Sequence, residues 1–129
     1  MVTRQSELLR VLGLLAEDLP NPYWVALVDS DGLVVACVPA EPPINPERIS
    51  AMTAAFVMTS DRVLEEIEGG QYRYASVAGS TLQLLAVQLS EDRFLSIGLG
   101  PEIPPRNTFS LLSRRVPELM HALKMRFVT

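Results

Sequence analysis

Residues 82 to 89 read LQLLAVQL. Side chains on a strand alternate between faces, and here both alternating sets are largely apolar. Leu82, Leu84 and Ala86 form one set. Leu85, Val87 and Leu89 form the other. Such a strand cannot turn either side to water, so the sheet that holds it needs a covering layer on both faces. The rest of the chain must therefore supply more strands and two layers of helix.

Strand signals surround this segment. Gln71–Ala78 and Arg93–Leu99 flank it, with turns at Ala78-Gly79-Ser80-Thr81 and Ser90-Glu91-Asp92. Upstream, residues 23–29 and 33–38 are short β-forming runs on either side of Asp31-Gly32, a pair that tolerates positive φ in a tight hairpin. Pro39, Pro42 and Pro43 stop the second run and stiffen the loop after it.

Three helices complete the order. Leu8, Leu12, Leu15 and Leu19 recur at helical spacing, with Thr3 or Ser6 as cap and Pro20 and Pro22 as terminators. Asn45-Pro46-Glu47 starts a middle helix expected to run to Glu68 and to end at Gly69-Gly70. Ile49, Met52, Phe56, Val63 and Ile67 line one of its faces, and Ala51, Ala54, Ala55 and Thr59 keep part of its surface small. A last helix begins near Asn107 or Thr108 and uses Phe109, Leu112, Val116, Leu119 and Leu123, with Pro117 expected to kink or split it. The predicted fold class is α/β: a five-stranded antiparallel sheet, element order α-β-β-α-β-β-β-α, helices on both faces, one domain over residues 1–129. The first and last helices cover one face. The middle helix alone is narrow for five strands, so a second copy's middle helix is expected to complete that layer.

Composition narrows the function. Hydrophobic residues make up 48% of the chain, enough for a core, while charged residues at 20% leave a lean surface that points to cover by another chain. The net charge of −4 offers no footprint for nucleic acid or anionic lipid. Cys37 is the single cysteine, so no internal disulfide forms and a cytoplasmic location is expected. The opening segment carries Arg10, Glu17 and Asp18 at helical spacing, unlike a secretory leader, and no apolar run approaches membrane-spanning length.

The residues able to carry chemistry have plainer uses. Asp29 and Asp31 lack the further oxygen ligands and distal Glu of a calcium loop, and a hairpin tip is too wet for an acid/base pair, so turn formation explains them. His121, the single histidine, cannot build a zinc site with Cys37 alone, and no nucleophile elbow accompanies it. Cys37 reads as a small buried hydrophobe. Gly69-Gly70 and Gly98-Leu99-Gly100 match no phosphate-binding loop. No catalytic residue, metal ligand or cofactor site is expected. Residues 61–68 carry four acids and one Arg, and residues 106–126 carry five basic residues and one acid. These are solvated helix ends or, in the functional reading, a dipolar surface that orients a partner.

Element order, the D-S-D-G-L-V-V-A hairpin, the middle helix R-I-S-A-M-T-A-A-F-V-M-T leading to E-G-G, and the three-strand meander together resemble the roadblock/LC7 family from about Glu7 to Leu123. The resemblance implies a layered, profilin-like domain that forms homodimers or heterodimers, with third strands paired edge to edge and middle helices side by side. Family members are non-catalytic platforms: dynein light chains, and in bacteria and archaea regulators of small Ras-like GTPases. The bacterial MglB-type members bind such a GTPase as a dimer and stimulate hydrolysis without contributing a catalytic residue. Carried onto this chain, the resemblance implies a dimer interface of Met52, Ala55, Phe56 and Thr59 between the helices, with Tyr72, Arg73 and Tyr74 near the axis. Arg48, Arg62, Glu65 and Glu66 are candidates for the partner surface. The implied function is a homodimeric GTPase regulator or adaptor, GAP-like or a co-regulator. The rival is a nucleotide-independent dimeric scaffold in a motor or signalling complex.

Overall fold

The computed structural model describes residues 2–125. Helix α1 spans Arg4–Asp18, and Thr3 caps it in a reciprocal box with Ser6. Strands β1 (Trp24–Asp29) and β2 (Val34–Val38) form the first hairpin. Helix α2 runs Pro46–Glu66, with the Asn45 side chain accepting the Glu47 amide. Strands β3 (Tyr74–Ala78), β4 (Gln83–Ser90) and β5 (Arg93–Leu99) form the meander. A short 3-10 turn at Pro105–Thr108 leads into α3, Phe109–Lys124. The sheet order is β2-β1-β5-β4-β3, all antiparallel, which leaves β2 and β3 as its edges.

The two apolar sets of β4 go to opposite layers, as the alternation requires. Leu85, Val87 and Leu89 join the core under α1 and α3, together with Leu8, Leu12 and Leu119. Leu82, Leu84 and Ala86 face α2. Only one stripe of α2 meets the sheet: Ile49, Ser50, Thr53, Ala54 and Val57 are buried. Ile49 thus parts from Met52, Val63 and Ile67, which stay exposed. The face expected to hold all four together is in fact two, because the sheet takes the flank centred on Thr53.

A buried polar cluster fixes α2 on the sheet. The Trp24 indole N–H donates to Ser96 Oγ at 3.1 Å, and the Thr53 hydroxyl donates to the same oxygen at 2.9 Å. Trp24 lies over its cross-strand partner Gly98. A Cβ at Gly98 would stand 2.6 Å from the indole ring, so only glycine leaves room for it.

Two helix ends differ from expectation. Helix α2 stops at Glu66, with Glu68 rather than a glycine in the left-handed region at φ +54. The Gly69 amide donates to the Leu64 carbonyl at 2.8 Å and the Glu68 amide to that of Glu65 at 3.3 Å, the paired bonds of a Schellman end. A Cβ at Gly69 would stand 2.8 Å from the tip of the Leu64 side chain, which would have to shift. Helix α3 continues through Pro117 without splitting. The carbonyl one turn earlier that loses its donor belongs to Ser113, an exposed residue, so water can serve it.

Two substitutions test these assignments by urea denaturation. Gly98→Ala should lower stability by about 2 kcal/mol through overpacking against Trp24. Glu68→Gly should raise it by about 1 kcal/mol by removing the cost of a left-handed side-chain residue, with the slope unchanged.

Candidate functional site

The Asp29 carboxylate serves the hairpin. It accepts the amides of Asp31 at 2.9 Å and Leu33 at 3.0 Å, while Gly32 turns the chain at φ +82. Cys37 is buried, its thiol pushed up by desolvation and 3.5 Å from the Pro39 carbonyl. His121 is exposed on α3. Among the described residues no group of three His, Cys, Asp or Glu side chains converges on a common point.

The accessible apolar surface lies elsewhere. Met52 (49% exposed) and Val63 (54%) form an outward stripe on α2, with Phe56 half-buried between them and Ile67 beyond. Their spacing of four and seven residues keeps them on one flank. On the sheet face that α2 covers, Val77 of β3 is 53% exposed beside its cross-strand partner Leu84. The α2 layer is therefore incomplete toward β3, and β3 has a free edge. Ala55 and Thr59 are exposed on the same outward side of α2, the small residues that would let another helix approach.

Of the three residues expected near a dimer axis, Arg73 and Tyr74 are exposed and Tyr72 is not. Tyr72 precedes β3 and turns inward against Val57, Ala86 and Phe94, where its hydroxyl donates to the Ala86 carbonyl at 2.7 Å. Sequence reasoning extended β3 back to Gln71 and so placed Tyr72 on the edge. Tyr72 lies before the first β3–β4 pair, Tyr74 with Val87, so strand alternation assigns it no face and no local signal announces its burial. Arg48, Arg62, Glu65 and Glu66 are all exposed on α2. The basic run of the last helix is partly neutralised within the chain: Arg115 binds Asp18 at 2.8 Å and Glu118 at 3.2 Å. Arg126 lies outside the described residues.

A second surface was not foreseen. An open cleft of about 980 Å³ lies where β4 runs on past the start of β3, between α2 and the beginning of α3. Its lining includes Tyr72, Tyr74, Phe94 and Phe109, and the Tyr74 and Phe109 rings meet at 4.7 Å and 59°. These aromatics are dispersed along the chain, so no local motif announces them.

The fold is a small layered domain whose α2 flank and β3 edge stand open. A family model described as the Roadblock/LC7 domain matches residues 10–98, and the chain belongs to that family. Among solved structures it is similar to MglB of Myxococcus xanthus, at 16% identity and TM-score 0.79, covering 92% of this chain and 96% of that one. It is likewise similar to a Roadblock/LC7 domain from Streptomyces avermitilis, at 16% identity and TM-score 0.80, covering 91% and 98%. The gliding protein MglB of Thermus thermophilus matches at 14% identity and TM-score 0.78, covering 95% and 92%. No curated protein sequence matches the chain.

Burial pushes the Tyr72 phenol up to about 12. The native state holds this proton more tightly than the unfolded chain, whose tyrosines ionise near ~10. The stability it contributes is whole below pH ~10 and is lost as the pH rises through about 12. Titration of tyrosinate absorbance should show one phenol ionising last, absent in Tyr72→Phe. That variant should also lose about 1 kcal/mol at neutral pH from the missing hydrogen bond.

Proposed function

We propose that this protein is a cytoplasmic, non-catalytic homodimer that binds a small Ras-like GTPase and modulates its nucleotide cycle. The observation that carries the reading is the incomplete α2 layer: Met52, Phe56 and Val63 stand beside an uncovered strip of sheet at Val77 and Leu84. A second copy's α2, with Ala55 and Thr59 at the crossing, fits that strip, while two β3 edges pair. Membership of the roadblock family and likeness to MglB structures support the GTPase as partner. The regulator acts by binding, and hydrolysis draws on the GTPase's own Mg²⁺ and phosphate loop. Among the described residues no helix is long and apolar enough to cross a membrane.

Light scattering at micromolar concentration should report the mass of two chains, and a stable monomer would overturn the dimer. Phe56→Asp places two carboxylates at the seam and should dissociate or unfold the protein. An unchanged dimer would show that another face pairs. For the partner, immobilised protein is exposed to lysate of the source organism with excess GDP or a non-hydrolysable GTP analogue. A small GTPase retained only with the analogue supports the regulator. The same partners in both arms, with no GTPase among them, would identify a nucleotide-blind scaffold instead.

A further inference from the structure

The aromatic cleft beside β4 has features that neither a second copy nor a nucleotide explains. Aromatics are only 6% of this chain, yet four of them line this one opening. The ladder between β3 and β4 ends where the Gln88 amide donates to the Arg73 carbonyl at 2.9 Å. Past that bond β4 continues to Ser90, whose carbonyl is occupied by the Gln88 side chain at 2.9 Å. One carbonyl at the open end of β4 is thus already taken within the chain.

Its walls carry a consistent sign on the α2 side. Asp61 lines the cleft on α2 and Glu91 lines it at the β4–β5 turn. Glu65 follows Asp61 one helical turn later on the same flank. None of these three carboxylates makes an ion pair among the described residues. Arg73, directly before β3, is the cation in the lining and, set against Asp61 and Glu91, leaves one net negative charge among the lining residues. Met58, 69% exposed, adds an adaptable apolar contact at the rim.

We propose that this cleft docks a short apolar segment of a partner protein that carries lysine or arginine side chains. Tyr74 and Phe109, the more open rings of the lining, and Met58 take the apolar side chains, and the Asp61 and Glu91 carboxylates attract the cations. The unpaired carboxylates select the sign of the segment and speed its arrival. Met58, Asp61 and Glu65 lie on a different flank of α2 from Met52, Phe56 and Val63, so the α2 wall of the cleft is separate from the proposed helix seam, while Arg73 and Tyr74 border the β3 edge. The inference goes beyond the GTPase reading and needs no nucleotide.

A phage-displayed random dodecapeptide library, selected on the immobilised wild-type protein, tests it. The expected winners carry net positive charge and at least two aromatic or aliphatic residues. A fluorescein-labelled synthetic winner should bind wild type by anisotropy. It should bind about tenfold or more weakly to Asp61→Lys/Glu91→Lys, and weakly to wild type at high salt. Its charge-swapped analogue, with each Lys or Arg replaced by Glu, should bind wild type about tenfold or more weakly, a comparison that needs no variant. The double variant should keep the wild-type oligomeric mass and circular dichroism, and should it unfold, Glu91→Lys in the turn serves alone. No enrichment, enrichment of acidic or neutral peptides, equal binding of the two peptides, or equal binding to the variant would each overturn the proposal.

Discussion

Strand β5 is withdrawn from water continuously from Phe94 into Gly100. Its position in the middle of the sheet, between β1 and β4, obliges cover on both faces. The cover on one face is held by a polar contact, not by apolar packing alone. Ser96 on β5 accepts from Trp24 on β1 and from Thr53 on α2, all three buried. Breaking one member would strand a buried polar group at a cost of about 1–3 kcal/mol. That cost fixes the rotation of α2 about its own axis. Once Thr53 faces Ser96, periodicity alone turns Met52, Phe56 and Val63 to one flank and Met58, Asp61 and Glu65 to the other.

The two layers are unequal. Helices α1 and α3 share one face and are joined along it by side-chain ion pairs. Arg115 meets Asp18 and Glu118, while Arg10 reaches Glu7 at 2.6 Å and Glu118 at 3.7 Å. The Arg115 guanidinium holds the Asp18 carboxyl below the usual carboxylate range. These groups are partly exposed and add little stability, but they orient one helix against the other. Among the described residues helix α2 has no such neighbour. The surfaces on which the proposed binding roles rest follow from this imbalance.

Much of the architecture was legible because it obeys short-range rules. The two-sided apolar pattern of Leu82–Leu89, the Asp29 turn and the Asn45 cap each state their geometry within a few residues. What was misread depends on distant partners. Tyr72 turns inward because Ala86 offers it a carbonyl, and nothing near Tyr72 in sequence reveals that. Pro117 was expected to kink or split α3, yet the helix runs on through it and leaves one solvent-facing carbonyl to water. Gly69-Gly70 marked the end of α2 two residues late, since the left-handed residue of its cap is Glu68. The aromatic cleft was illegible altogether, because it is assembled from α2, the approach to β3, β4, β5 and α3.

The two borders of the sheet are not equivalent. At β2 the Gln5 side-chain amide of α1 reaches across and occupies the carbonyl of Val35, the residue displaced by the bulge, at 3.0 Å. Pro39, which has no amide hydrogen to offer, follows directly after the strand. At β3 no side chain makes a comparable bond among the described residues. A sheet extended through β3 would keep β2, with Gln5 seated on one of its carbonyls, as its outer border.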